Sequence, residues 1–466
     1  MRFDERETTL SRANVRTRRS TATAVLCLAS LVTITACSAP GATTGDDATA
    51  TAASSSTPGE APTCGADDVV LSAYIETGFP LPKALAEEFT AQHPNVTFDI
   101  REDQFAVITQ NAPRILADNP PDLMRLPQMS DLAKDGLLLD LDPYAEAFGW
   151  DEWPASQLLQ MRVDDEGRRG DGPLYAMGLN YSMTGIFYNK EIAAQLGMTE
   201  APQTLAELDS LLQKAKDAGF NPIGQFNGGA TGGLAFPLQA LMASYGEASK
   251  INAWTFQQPG ATIATPENIK AAEHLDSWIK AGFFADDANA LDYATMMSRF
   301  IGGESLLIFN GDWESGNLDT QMPGNAGFFL LPPVEEGGKV GAMSAPLTYG
   351  IAANAKNADC AAYFLDWIAT NDEGRTIAVE IGGSHPMGQT GAFMPDVDPE
   401  SVTAQTLAAG TTIGEDDGAM EFIANATGEI YAKSWTPNLQ KLVAGQQTPE
   451  GLLTAVQADY ENQIGG

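Results

Sequence analysis

Three histidines, His93, His274 and His385, are the only side chains that titrate near neutral pH without help, in a chain of 466 residues. None stands in an HExxH pair. The sequence also lacks GxSxG, a P-loop and a Rossmann glycine triplet. His274 falls within a helical pattern and reads as structural, while His385, in the loop GGSHPMG, is the one histidine near a usable site. The acidic runs GEDDG (414–418) and DDEG (164–167) lack EF-hand spacing and read as solvated turns, so no metal and no cofactor is expected. Aromatic and carboxamide residues are better placed. Asn180, Tyr181 and Tyr188 lie in GLNYSMTGIFYNK, Asp312 and Trp313 in FNGDWES, and Trp435 in AKSWTPN. A sugar offers apolar C–H faces and a rim of hydroxyls, which flat rings and carboxylate or carboxamide groups complement. Two classes stay open: a carbohydrate-binding module, and a glycan hydrolase whose paired carboxylates would meet only in the fold.

The elements that position these residues alternate. VVLSAYI (69–75) reads as a buried strand, PKALAEEFTAQHP as a helix with Leu85, Ala86 and Phe89 on one face, and VTFDI (96–100) as a second strand. PDLMRL ends as a strand, and SDLAKDG is a helix stopped by Gly136. Thr204-Leu205-Ala206-Glu207 is a capping box, Thr265-Pro266 and Thr448-Pro449 start helices, and SLLIFNG (305–311) is a strand running into Asp312-Trp313. Strand–helix alternation over some 400 residues predicts an α/β protein of two or more domains.

The N-terminal end has a different composition. A basic cluster, Arg16-Thr17-Arg18-Arg19, precedes an uncharged apolar run from Ser20 to Ala36 that is short for a bilayer span. Ile34-Thr35-Ala36-Cys37 closes it and resembles the lipobox of bacterial lipoproteins, in which the cysteine is lipidated and becomes the first mature residue. Residues 38–63 contain no aromatic, Leu, Ile or Val, so they have nothing to bury and are expected to form a disordered tether, roughly 28 Å end to end. The whole chain has 26 Lys+Arg and 61 Asp+Glu; removing the six Arg and three acids of residues 1–36 leaves 20 against 58, a net −38. Such a surface repels nucleic acid and anionic headgroups, and membrane contact is expected through the anchor only. Of four cysteines, Cys27 leaves with the leader and Cys37 takes lipid. Cys64 and Cys360 remain, with a bridge and two free thiols both open on composition alone.

Five segments stand in the order found in one family: APRILADNPPDLMRL, SDLAKDGLLLDLDPY, GPLYAMGLNYSMTGIFYNKEIAAQLGM, PQTLAELDSLLQKAKDAGFNPI and FIGGESLLIFNGDW. The chain resembles the extracellular solute-binding proteins of ABC importers, the maltose-binding-protein-like group, over roughly 66–466. The resemblance implies a two-lobe periplasmic-binding-protein-like α/β fold of type II with a central cleft. It implies residues 1–36 as signal peptide, 37–65 as lipidated cysteine and tether, 66–177 with 344–395 as lobe 1, and 178–343 with 396–466 as lobe 2. Crossovers are expected near 177–180, 340–345 and 391–400. By matching positions, Glu76 corresponds to a sugar-contacting acid, Trp313 to a stacking tryptophan and Trp435 to a position near another, and Gln128 and Met129 reach the cleft. The family's acid–arginine pair is absent from that last loop. The layout puts Cys64 and Cys360 at the lobe end far from the cleft, where a disulfide is expected. The implied protein is a monomer, no enzyme, held outside the cell membrane by its lipid, passing a sugar or oligosaccharide to permease subunits. A peptide ligand is the further alternative, and Arg125 is the one evident cation it would use.

Cys37→Ala is expected to abolish metabolic lipid labelling and release the protein to the medium; a variant that stays labelled would remove the lipobox assignment.

Overall fold

The computed structural model describes residues 61–465 apart from 127, 230, 390 and 417. The leader and Cys37 lie outside the described residues. Eleven strands follow in chain order: β1 (Val69–Glu76), β2 (Val96–Asp103), β3 (Leu123–Arg125), β4 (Arg162–Val163), β5 (Arg169–Leu174), β6 (Met177–Asn189), β7 (Asn221–Ile223), β8 (Ser305–Gly311), β9 (Ala326–Phe329), β10 (Ala342–Ile351) and β11 (Ala419–Met420). The main sheet runs β2-β1-β3-β10-β6-β8-β7, with β9 added to β6 and β11 to β10, and β4 and β5 form a separate hairpin.

β1 pairs in parallel with both β2 and β3, and helices connect these strands, as parallel strands require. Leu71, Ala73, Tyr74 and Ile75 are buried on both faces of β1, and every residue of β8 is buried, so these strands read as apolar runs rather than alternations. The helix Leu81–Gln92 buries Leu81, Leu85, Ala86 and Phe89 along one stripe.

Two hydrophobic cores form. The first takes β1, β3 and the helix Ala358–Thr370; the second takes β8, β9 and the helices Leu205–Asp217, Ala235–Tyr245 and Pro266–Ala281. Three segments pass between them. β6 leaves the first core at Leu179 and enters the second at Met183; β10 runs from Met343 in the second to Leu347 in the first; and the chain goes from Met387 in the first to Val402 in the second.

Local signals hold with one shift. Thr265 caps its helix by accepting the Asn268 N–H at 3.2 Å, and Gly282 ends it in the left-handed region. Thr204 accepts the Glu207 N–H, but the Glu207 carboxylate takes the N–H of Gln203 rather than that of Thr204, so the box is displaced by one residue. Among the described residues no helix is long and apolar enough to cross a membrane.

Cys64 and Cys360 form a disulfide, with Cα atoms 4.1 Å apart and a sequence separation of 296. It lies where β1 and β2 begin, beside Asn95, whose amide donates to the Gly65 and Asp67 carbonyls. The opposite, C-terminal ends of the same strands carry Glu76 and Asp103. Replacing both cysteines by Ala is expected to cost up to about 4–5 kcal/mol in a denaturant titration, from the chain entropy of so long a loop. A loss well below 1 kcal/mol would show that the bridge does not constrain the unfolded chain.

Candidate ligand site at the strand ends

Register brings the strand ends of both cores to one place. In the first core β3 ends at Arg125, which pairs with Tyr349 of β10, while Thr348 of β10 pairs with Gly178 of β6. In the second, β8 ends at Gly311, which pairs with Thr184 of β6. Both sets of carboxyl ends therefore approach the part of β6 between Gly178 and Thr184, where it crosses between the cores. Ligands of open α/β sheets bind outside such ends.

On the first side, Glu76 and Arg125 form an ion pair, Nε to Oε2 3.3 Å, with side chains only 12% and 13% exposed. Arg125 Nη1 also donates to the Leu126 carbonyl at 3.1 Å and the Thr348 carbonyl at 3.2 Å, which fixes the guanidinium. Burial pushes the Glu76 carboxyl up from its ordinary value, and Arg125 opposes that rise. The acid–arginine pair missing from the loop after β3 is thus assembled from two strands. Gln128 is half-buried, whereas Met129 packs into the first core. Asn180 is buried, and its Oδ1 has no hydrogen-bond partner among the described residues. The Tyr181 hydroxyl accepts from Gln160 Nε2 at 2.6 Å, and its backbone N–H donates to the His385 carbonyl at 2.7 Å. Burial lowers the His385 imidazole pKa and Arg375 pushes the same way, against the hydrogen bond with the Pro386 carbonyl.

Across the crossing, Asp312 turns inward. It accepts from Ser384 Oγ at 2.8 Å, and Ser384 Oγ lies 3.0 Å from Ser182 Oγ. Burial raises its acid well above the usual carboxylate range, against hydrogen bonds from Ser384 and from the backbone of Met183 and Trp313. Asp312 therefore ties β8 to the third passage, and its carboxylate is spent there.

Trp313 is half-buried, packed against the second core and held from below. Its indole N–H donates to the Tyr293 hydroxyl at 2.9 Å, and its ring lies so close to Gly311 that a Cβ there would stand 2.0 Å from Cζ3. Only glycine admits that approach. The Trp313 ring begins a row that runs into the second core: Phe236 at 6.3 Å between centroids and Phe422 a further 5.3 Å, both buried, and half-buried Tyr431 a further 5.2 Å. Sequence reading missed Phe236, Phe422 and Tyr431, which come from separate segments and carry no shared motif. Trp435 is corrected. It is 0% exposed, donates to the Ile423 carbonyl and meets Trp254 edge to face. A π-helical turn, Tyr431–Trp435, presents Tyr431 to the row while Trp435 faces the core. Tyr188 lies away from the row, packed against the second core with its ring tilted on Phe329.

A sheet of this order with two cores joined by three passages, and a site at the strand ends, defines a two-lobe binding protein of type II periplasmic architecture. The chain belongs to the bacterial extracellular solute-binding protein family, whose model matches residues 74–375. It is similar to a probable sugar-binding periplasmic protein of Rhizobium meliloti, 29% identical over 44% of this chain and 47% of that protein. It is also similar to a galactooligosaccharide-binding protein of Bacillus subtilis, 22% identical over 56% of this chain and 59% of that protein. The chain thus spans about half the length of the curated relatives it matches. In structure it is similar to a chitin oligosaccharide binding protein, TM-score 0.69 at 18% identity, over 86% of this chain and all of the other. The RafE solute-binding protein in complex with raffinose gives a TM-score of 0.66 at 19% identity, over 85% of this chain and all of RafE. These last two likenesses establish the fold.

Trp313→Ala is expected to weaken carbohydrate binding about tenfold to a hundredfold while the melting temperature of the unliganded protein barely moves. Trp435→Ala should instead destabilise the unliganded protein by about 3–5 kcal/mol, as truncation of a buried aromatic does. Titration calorimetry and thermal denaturation on both variants separate the two roles.

Proposed function

We propose that this protein captures a neutral oligosaccharide between its lobes and delivers it to the permease subunits of an ABC importer. The observation that carries the reading is Trp313, half-buried and fixed on the second lobe just past the end of β8. Phe236 and Phe422 are buried in the second core and, with Tyr431, back the Trp313 ring, so that one fixed ring is offered to a sugar's apolar face. The Glu76–Arg125 pair and the unpartnered Asn180 Oδ1 supply polar partners for hydroxyls on the first lobe. The names of the relatives, which bind sugars and galactooligosaccharides, support the same class.

A peptide or amino-acid ligand is less well served. Its carboxylate would need a free cation, and Arg125 is already engaged by Glu76 and two carbonyls. Hydrolysis is less well served too. Glu76 is paired with Arg125, and Asp312 is turned into the junction. Gln128, Asn180 and Tyr181 remain proposed ligand contacts, and Met129 is proposed to shape the first-lobe wall from beneath. The body acts as a monomer at the outer face of the cell membrane, held by a lipid on Cys37, an assignment that rests on Ile34-Thr35-Ala36-Cys37.

Titration calorimetry against neutral oligosaccharides, uronic-acid oligosaccharides, amino acids and short peptides, with chromatography of the recovered ligand, tests this. At least one neutral oligosaccharide should bind and return intact. Binding confined to peptides or amino acids, or recovery of cleaved sugar, would replace the reading.

A further inference from the structure

The hairpin β4–β5 belongs by Val163 and Leu174 to the first core, yet its turn-side end reaches the second lobe. The Arg169 N–H donates to the Phe256 carbonyl at 3.2 Å, and Gln258 Nε2 donates to the Arg169 carbonyl at 2.8 Å. Gly170, in the left-handed region, lies so near that a Cβ there would stand 3.0 Å from the Phe256 ring. The Arg169 guanidinium stands over the same ring, 5.1 Å from its centroid. Its Nη2 is paired with Glu421 Oε2, and the two side chains are 10% and 3% exposed. This is an ion pair between lobes, buried on both sides and separate from the three passages.

Each partner is bound to a part of the candidate site. Arg169 Nε and Nη2 both donate to the Gln160 carbonyl, at 2.9 and 2.7 Å. The side chain of that same Gln160 donates to the Tyr181 hydroxyl at 2.6 Å and to the Ser344 carbonyl of β10 at 2.7 Å. On the other side Glu421 Oε1 accepts from the Phe422 N–H at 2.9 Å and from Asn425 Nδ2 at 3.0 Å. The Glu421 backbone is held by Asn252 and Gln239. Phe422 is the third ring of the row. One chain of contacts thus runs from Tyr181 through Gln160, Arg169 and Glu421 to Phe422.

We infer that Arg169 and Glu421 form an inter-lobe latch that holds two elements of the candidate site together, Tyr181 on the crossing strand and Phe422, which packs behind Trp313 through Phe236. Taking two charges out of water is costly, and a pair of apolar side chains in the same place is often at least as stable. Fold stability alone therefore does not account for the pair. A guanidinium that must satisfy a carbonyl of one lobe and a carboxylate of the other does fix relative position, because its donors lie in a rigid plane. The effect on ligand rests on the proposed oligosaccharide binding; the effect on lobe geometry does not.

The test uses the double variant R169M/E421M, which leaves no unpaired charge, beside E421Q, which nearly keeps the shape and removes the charge pair. Electron–electron distances between spin labels at E87C on the first lobe and K214C on the second are measured without ligand. The distribution should broaden or lengthen in both variants, and the double variant should melt close to the parent. Affinity for the oligosaccharide bound by the parent should fall about tenfold, mainly through faster dissociation. Distance distributions that superimpose on the parent in both variants would overturn the latch, whatever the affinity does. If the double variant does not fold, E421Q alone decides by the same distances. A parent that binds no sugar removes the proposed ligand and leaves the distance result to stand on its own.

Discussion

The backbone ladder between β6 and β10 is the constraint on which the rest depends. These two antiparallel strands pair from Met177 to Met183 on one side and from Tyr349 to Ser344 on the other, and they serve both cores. The register shifts between Pro346 and Thr348, opposite Tyr181 and Gly178. Proline has no N–H to give the ladder, so the irregularity falls where the strands pass between lobes. Everything at the candidate site hangs on this stretch. Arg125 bonds to Thr348, Tyr181 bonds to His385, and Gln160 bonds to Ser344.

Charge is handled in a consistent way around that crossing. A chain with so large an acidic excess buries few acids near the site, and each has a stated partner. Glu76 faces Arg125, Glu421 faces Arg169, and Asp312 receives Ser384 and two backbone amides. A buried charge without compensation would neutralise or destabilise the fold. The result is a polar but electrically balanced lining around the crossing, beside the Trp313 ring, which is the complement of a hydroxyl-rimmed, apolar-faced ligand.

Much was readable from the chain. The apolar runs of β1 and β8 and the Thr265-Pro266 helix start led to the α/β class, because those signals are local and periodic, and the resemblance of five segments in order to one family implied the two lobes. Glu76 and Trp313 could be proposed as site residues for a similar reason: Glu76 ends β1 and Trp313 lies two residues past the end of β8, and strand ends carry sites. Trp435 was not. Its sequence context, AKSWTPN, is that of a loop, and only a π-helical turn turns its ring inward. Asp312, next to Trp313, looked equally available but faces the opposite way into the junction.

The sequence by itself determined the element types, the family order and the identity of the paired cysteines' candidates, since periodicity, capping and composition act over a few residues. Tertiary structure alone decided which side chains meet. Arg125 joins Glu76 across 49 positions, Phe236 meets both Trp313 and Phe422 from separate segments, and Arg169 meets Glu421 across 252. Such pairs are set by strand register and by the way β6 and β10 carry the chain between cores. Neither leaves a trace in the spacing of residues along a single chain, because one residue of register turns a strand's side chains to the other face.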